Sequence, residues 1–157
     1  LKKMEVTLMI TMNNPQNFTL KLNHVYPVKR ERVFAAWTKP ELIEQWWGPQ
    51  GYTTKIVEMN VEVQGNYKFI MRSPNGIDHI VFGQYLEILP SEKLVFTWQW
   101  EQQTDFPITI VTVDFLEIDG KTEVIVTHSN LPNEDEAKNH TNGWTSFLEE
   151  KLTSFFQ

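Results

Sequence analysis

No cysteine occurs in the 157 residues, which excludes disulfides, thiolate metal sites and cysteine nucleophiles together. Arginine is nearly as scarce, and Arg30, Arg32 and Arg72 do not line one stripe. The net charge is -6. Nucleic-acid phosphates need clustered Lys and Arg, so no nucleic acid is expected as a partner. No stretch approaches the roughly 18 consecutive apolar residues of a membrane span, and no leader with a small-residue cleavage site is visible. A soluble, cytoplasmic protein is therefore the expectation. Also missing are the Gly-x-Ser-x-Gly elbow, the phosphate loop and the dinucleotide fingerprint, so no cofactor is expected. What the chain has in abundance is aromatic: six Trp and ten Phe.

The clearest element is the last. Asn133 to Phe156 reads as one long amphipathic helix, with Ala137, Thr141, Trp144, Leu148, Leu152 and Phe155 on one face. Asn133 and Glu136 have the spacing of a capping box, and Glu134 and Asp135 suit the positive end of the helix dipole. Asn139, His140, Thr141, Asn142 and Gly143 are all poor helix formers. Either packing holds the helix there or it kinks. Gly143, before Trp144, is expected to let a neighbouring backbone come close.

Ahead of this helix the chain alternates like sheet. Residues 1–17 read as an N-terminal extension, with an added strand as the alternative; Met4, Met9 and Met12 each have the look of a start. Residues 18–157 read as a single domain. A strand is expected over 18–26, then two short helices at 30–37 and 40–46, the second opened by Pro40. Strands follow near 52–62, 66–73, 78–89, 93–101, 108–119 and 122–130. Turn signals at Gln64-Gly65-Asn66, Ser73-Pro74-Asn75-Gly76, Pro90-Ser91-Glu92 and Asp119-Gly120 separate them. Short connections make successive strands antiparallel neighbours. Over 78–89 both faces are partly apolar, and its orientation stays open.

With these elements laid out, the run Trp37-Thr38-Lys39-Pro40-Glu41-Leu42-Ile43-Glu44-Gln45-Trp46-Trp47-Gly48-Pro49 resembles the signature of the heat-shock-protein-90 ATPase activator homologue family. Gly83-Gln84-Tyr85-Leu86-Glu87-Ile88, Leu94-Val95-Phe96-Thr97-Trp98, Thr127-His128-Ser129-Asn130-Leu131 and Gly143-Trp144 carry the same resemblance. That family belongs to the helix-grip superfamily, with the lipid-transfer START domains and the birch pollen allergen. The resemblance implies an α+β helix-grip fold: a curved antiparallel sheet wrapped around the long C-terminal helix, a cavity between them, and two short helices after the first strand. The chain departs from the family pattern at Asn60, Glu62 and Gln64-Gly65, where relatives carry an acidic residue, Arg and Gly-Gly.

The candidate ligand-binding residues are Trp46, Phe69, Phe96, Trp98, Trp100, Phe115, His128, Trp144, Phe147 and Leu148. Aromatic ladders leave irregular spaces that suit ring-shaped ligands; the competing reading is a filled core. Trp46 and Trp47 either flank a cavity entrance or staple the short helices to the sheet. Of His24, His79, His128 and His140, no pair has metal-ligand spacing on one element. A metal would need His128, His140 and a carboxylate to converge, and His128 has the best placement for a general base. The expected partner is a small hydrophobic molecule, aromatic or lipid-like. The alternatives are a protein partner, namely the ninety-kilodalton heat-shock chaperone, and a cavity-based cyclase or hydrolase.

Overall fold

The computed structural model describes residues 7–14 and 17–157. Its sheet has eight antiparallel strands: β1 (Thr7–Asn14), β2 (Asn17–Tyr26), β3 (Thr53–Met59), β4 (Asn66–Arg72), β5 (Asp78–Leu89), β6 (Lys93–Trp100), β7 (Thr109–Ile118) and β8 (Lys121–Leu131). They lie in the order β1-β2-β8-β7-β6-β5-β4-β3. All neighbours from β3 to β8 are sequential, as the short connections require. The N-terminal segment, left open by the sequence, supplies β1 as an edge strand on β2. Asp119 and Gly120 both take positive φ, the conformation that lets a two-residue loop join β7 to β8 without splaying them.

Helices α1 (Arg30–Thr38) and α2 (Pro40–Trp46) fill the connection from β2 to β3. Each is too short to stand alone, and aromatic packing holds them. Trp46 is fully buried and its indole N–H donates to the Ala36 carbonyl at 2.8 Å, stapling α2 to α1. Trp47, also buried, reaches the sheet, with its ring centroid 5.3 Å from that of Phe69 and 5.0 Å from that of Phe147. Neither tryptophan stands at an entrance.

The final helix is continuous but not uniform. It runs as α3 (Glu134–Thr145), one wide π-type turn (Ser146–Lys151) and α4 (Leu152–Phe155). The Asn133 side chain caps it, accepting from the Glu136 N–H at 2.8 Å. The stretch of poor helix formers stays α-helical because Ala137, His140, Thr141 and Trp144 are all buried there. The irregularity falls one turn later and has a local cause. In the wide turn Leu152 N–H bonds back to Phe147 O. The carbonyl of Leu148 instead accepts from the Tyr26 hydroxyl at 2.6 Å and from Thr153 Oγ1 at 3.2 Å. A side chain from β2 thus takes the acceptor that an α-turn would have used.

The inward face of β5 carries Val81 and Tyr85, both buried, while Leu86 is exposed. A bulge between Tyr85 and Glu87 then returns Ile88 to the inside, opposite Leu94. That bulge is why both faces of this strand read as apolar. No described helix is long and apolar enough to cross a membrane.

Candidate functional site

A cleft of about 650 Å³ opens where α3 passes over the outer ends of β5 and β6. This is the size range of small-molecule sites. Its apolar wall is built by Trp98 and Trp100 from β6, Trp144 and Phe147 from the final helix, Met71 from β4, and Tyr52 from the loop after α2. Its rim is polar, with Asp78, His79, Gln102, Gln103, Glu136 and Asn139. Strand alternation puts Trp98 and Trp100 on the same side; helix spacing puts His140, Gly143, Trp144 and Phe147 on one face.

The polar chemistry behind this wall is a pair of tryptophan–histidine contacts. Trp144 Nε1 donates to His128 Nδ1 at 3.0 Å, and Trp100 Nε1 donates to His140 Nε2 at 3.0 Å. A nitrogen that accepts carries no proton, so each imidazole holds its proton on the other nitrogen. His128 Nε2 lies 2.8 Å from Thr109 Oγ1, whose hydroxyl donates to the Trp98 carbonyl at 2.7 Å. His140 Nδ1 lies 2.7 Å from the Glu136 carbonyl. Both rings are therefore neutral donors and acceptors at once. Burial pushes the His128 pKa well below the ordinary imidazole value, and the neighbouring His140 adds to the effect. Burial lowers the His140 pKa too, against the opposing pull of the Glu136 carbonyl and carboxylate.

His128 and His140 do converge, with ring centroids 5.1 Å apart. All four ring nitrogens nevertheless have protein partners, and no described cluster of His, Asp and Glu could hold a metal ion. His128 is fully buried, so it has no accessible nitrogen to act as a general base. Its hydrogen-bond contact with the cleft wall is the bond it accepts from Trp144.

The ten predicted residues separate into groups. Trp98, Trp100, Trp144 and Phe147 line the cleft. Phe69 and Phe96 border a separate void of about 10 Å³ beneath Trp47, too small for any organic ligand. Trp46, Phe115 and Leu148 are fully buried core residues away from the cleft, and His128 stands behind its wall. Tyr52, Met71, His140 and Glu136 belong to the cleft but not to the predicted set. His140 sits four residues before Trp144, and that spacing was the signal that could have found it. Gly143 corrects an expectation. No backbone crowds it, and a Cβ built there meets nothing within 4 Å, so it borders the open cleft. The substituted family positions lie elsewhere: Asn60 Nδ2 donates to Glu62 Oε1 at 3.0 Å, beside the tight turn rather than the cleft. There Gly65 is required, since a Cβ would fall 2.1 Å from the Asn60 carbonyl oxygen.

The sequence profile of the family described as "Activator of Hsp90 ATPase homolog 1-like protein" matches residues 27–157. The chain belongs to this family. Among its relatives, human "Activator of 90 kDa heat shock protein ATPase homolog 1" is 18% identical over 137 residues. That alignment covers 87% of this chain but 36% of the human protein, so the chain spans about a third of its length. A solved structure from Chromobacterium violaceum superimposes with TM-score 0.81 at 25% identity, over 88% of this chain and 96% of that one. The AHSA1 protein of Silicibacter pomeroyi gives 0.78 at 27% identity, over 87% and 95%. The family's helix-grip α+β fold is the fold of this chain.

Proposed function

We propose that this domain binds a small hydrophobic, ring-bearing ligand in the cleft between α3 and the ends of β5 and β6. The observation that carries this reading is the tethering of Trp100 and Trp144. Their indole N–H groups are spent on His140 and His128, so the side chains are held in place while the apolar wall beside them stays open. Holding an aromatic wall rigid without filling the space beside it is preorganisation for a flat ligand. A filled core would have closed that volume and gained the lost contacts.

Thermal melts with a panel of flavonoids, fatty acids and sterols test the reading, backed by mass spectrometry of the natively purified protein. A binder at a hundred times its Kd should stabilise the domain by about 2.7 kcal/mol and change tryptophan emission. No shift with any compound, and no co-purified small molecule, would turn attention to a protein partner of the kind that the human relative's name describes.

A further inference from the structure

The charge and hydrogen-bonding character of the cleft narrows the class of ligand, given that the cleft is a ligand site. Asp78 and Glu136 are the acidic residues of its lining, which includes neither Lys nor Arg. Asp78 is already neutralised, because Arg72 holds it through two bonds of 2.7 and 3.0 Å. Glu136 is not. Its carboxylate lies 3.5 Å from Asn139 Nδ2 and 3.9 Å from His140 Nδ1, and that imidazole is neutral with its proton directed at the Glu136 carbonyl. The nearest helical lysine, Lys138, pairs with Glu134 at 3.3 Å. Glu136 also occupies the first turn of α3, where the helix dipole favours negative charge.

Several of the cleft's donors are already spent within the protein. The indole N–H groups of Trp100 and Trp144 are used on histidines, and the Gln102 amide donates to the Asp78 carbonyl at 2.8 Å. The lining keeps polar side chains at Tyr52, His79, Gln103 and Asn139 and the partnerless indole N–H of buried Trp98, but its acidic group left without a counter-charge is Glu136, set beside electron-rich aromatic faces, a combination that attracts organic cations. The net charge of -6 acts in the same direction at longer range.

We infer that the cleft selects an aromatic or alicyclic amine, its apolar body against Trp98 and Trp144 and its ammonium group against Glu136. Anionic ligands of the same shape are rejected by that carboxylate.

The test is isothermal titration of the full chain with three matched probes: 2-naphthylmethylamine, neutral 2-naphthylmethanol and anionic 2-naphthoate. The amine should bind about tenfold tighter than the naphthoate or better, with the alcohol between them. Glu136→Gln should reduce that preference to about threefold or less, while Asn139→Asp, which adds a second acid on the same exposed helix edge, should increase it. A naphthoate that binds as well as the amine, or a preference unchanged in both variants, overturns the inference and leaves the ligand site standing. Failure of all three probes to bind removes both.

Discussion

Trp144 Nε1 and His128 Nδ1 stand 3.0 Å apart in a buried hydrogen bond. The bond ties the final helix to β8, and through Thr109 to β7 and the backbone of β6. One cleft-lining tryptophan is thus held by three strands.

Trp144→Phe keeps most of the ring and removes the donor. It should cost about 1–3 kcal/mol, because His128 Nδ1 is left buried without a partner. Trp144→Ala should cost about 3–5 kcal/mol through lost packing against Trp37, Trp47 and Phe147. Chemical denaturation measures both. A Phe variant as stable as wild type would show that the bond contributes nothing.

The two neutral imidazoles make stability depend on acid. Their pKa values are lowered in the folded protein, so below the ordinary value of 6.5 the unfolded chain binds protons that the folded one refuses. Their contribution is fully present above that pH and is lost as pH falls beneath it. For His128 the loss should approach about 1.4 kcal/mol per pH unit, and His140, whose lowering Glu136 opposes, adds a smaller loss of the same sign. Denaturant titrations at pH 7.0 and 5.5 compare the wild type with His140→Gln, which should show a shallower dependence. Stability that rises on acidification across this window would contradict the neutral assignment.

Hydrogen exchange should find the amides of β6 and β7 among the slowest. Both strands lie inside the sheet, with Leu94, Phe96, Val111, Val113 and Phe115 buried beneath them. Removal of residues 1–14 should leave a folded domain melting within about 4 °C of the full chain, since Met9 and Ile10 of β1 are exposed and β2 keeps its pairing with β8. Fast exchange throughout β6 and β7 would refute the first expectation, and a melting point lower by tens of degrees the second.

Most of the architecture was legible because it rests on local rules. The turn residues separate the strands, and the stripe from Ala137 to Leu152 marks the buried face of the final helix. The wide turn at 146–151 was not legible, since its cause is the hydroxyl of Tyr26, far away in sequence. The site was legible in part for a related reason. Phe96 and Trp98 lie two residues apart on one face of β6 and look equivalent in sequence. Where the helix crosses decides that one meets a small void and the other an open cleft. Gly143 was misread because a helical glycine signals close approach and open space alike.

Gly143, bordering the open space, gives a way to fill the cleft and so to test whether it is a ligand site. Gly143→Ala should stabilise α3 by about 0.5–1 kcal/mol, and Gly143→Leu should project a larger side chain into the cleft without displacing backbone. Titration of 2-naphthylmethanol into wild type and Gly143→Leu, followed by tryptophan fluorescence, reads the consequence. Saturable binding to the wild type is expected, with at least a tenfold weaker response in a variant that melts no lower. Undiminished binding in the variant, or no binding to the wild type, would contradict the ligand-site reading.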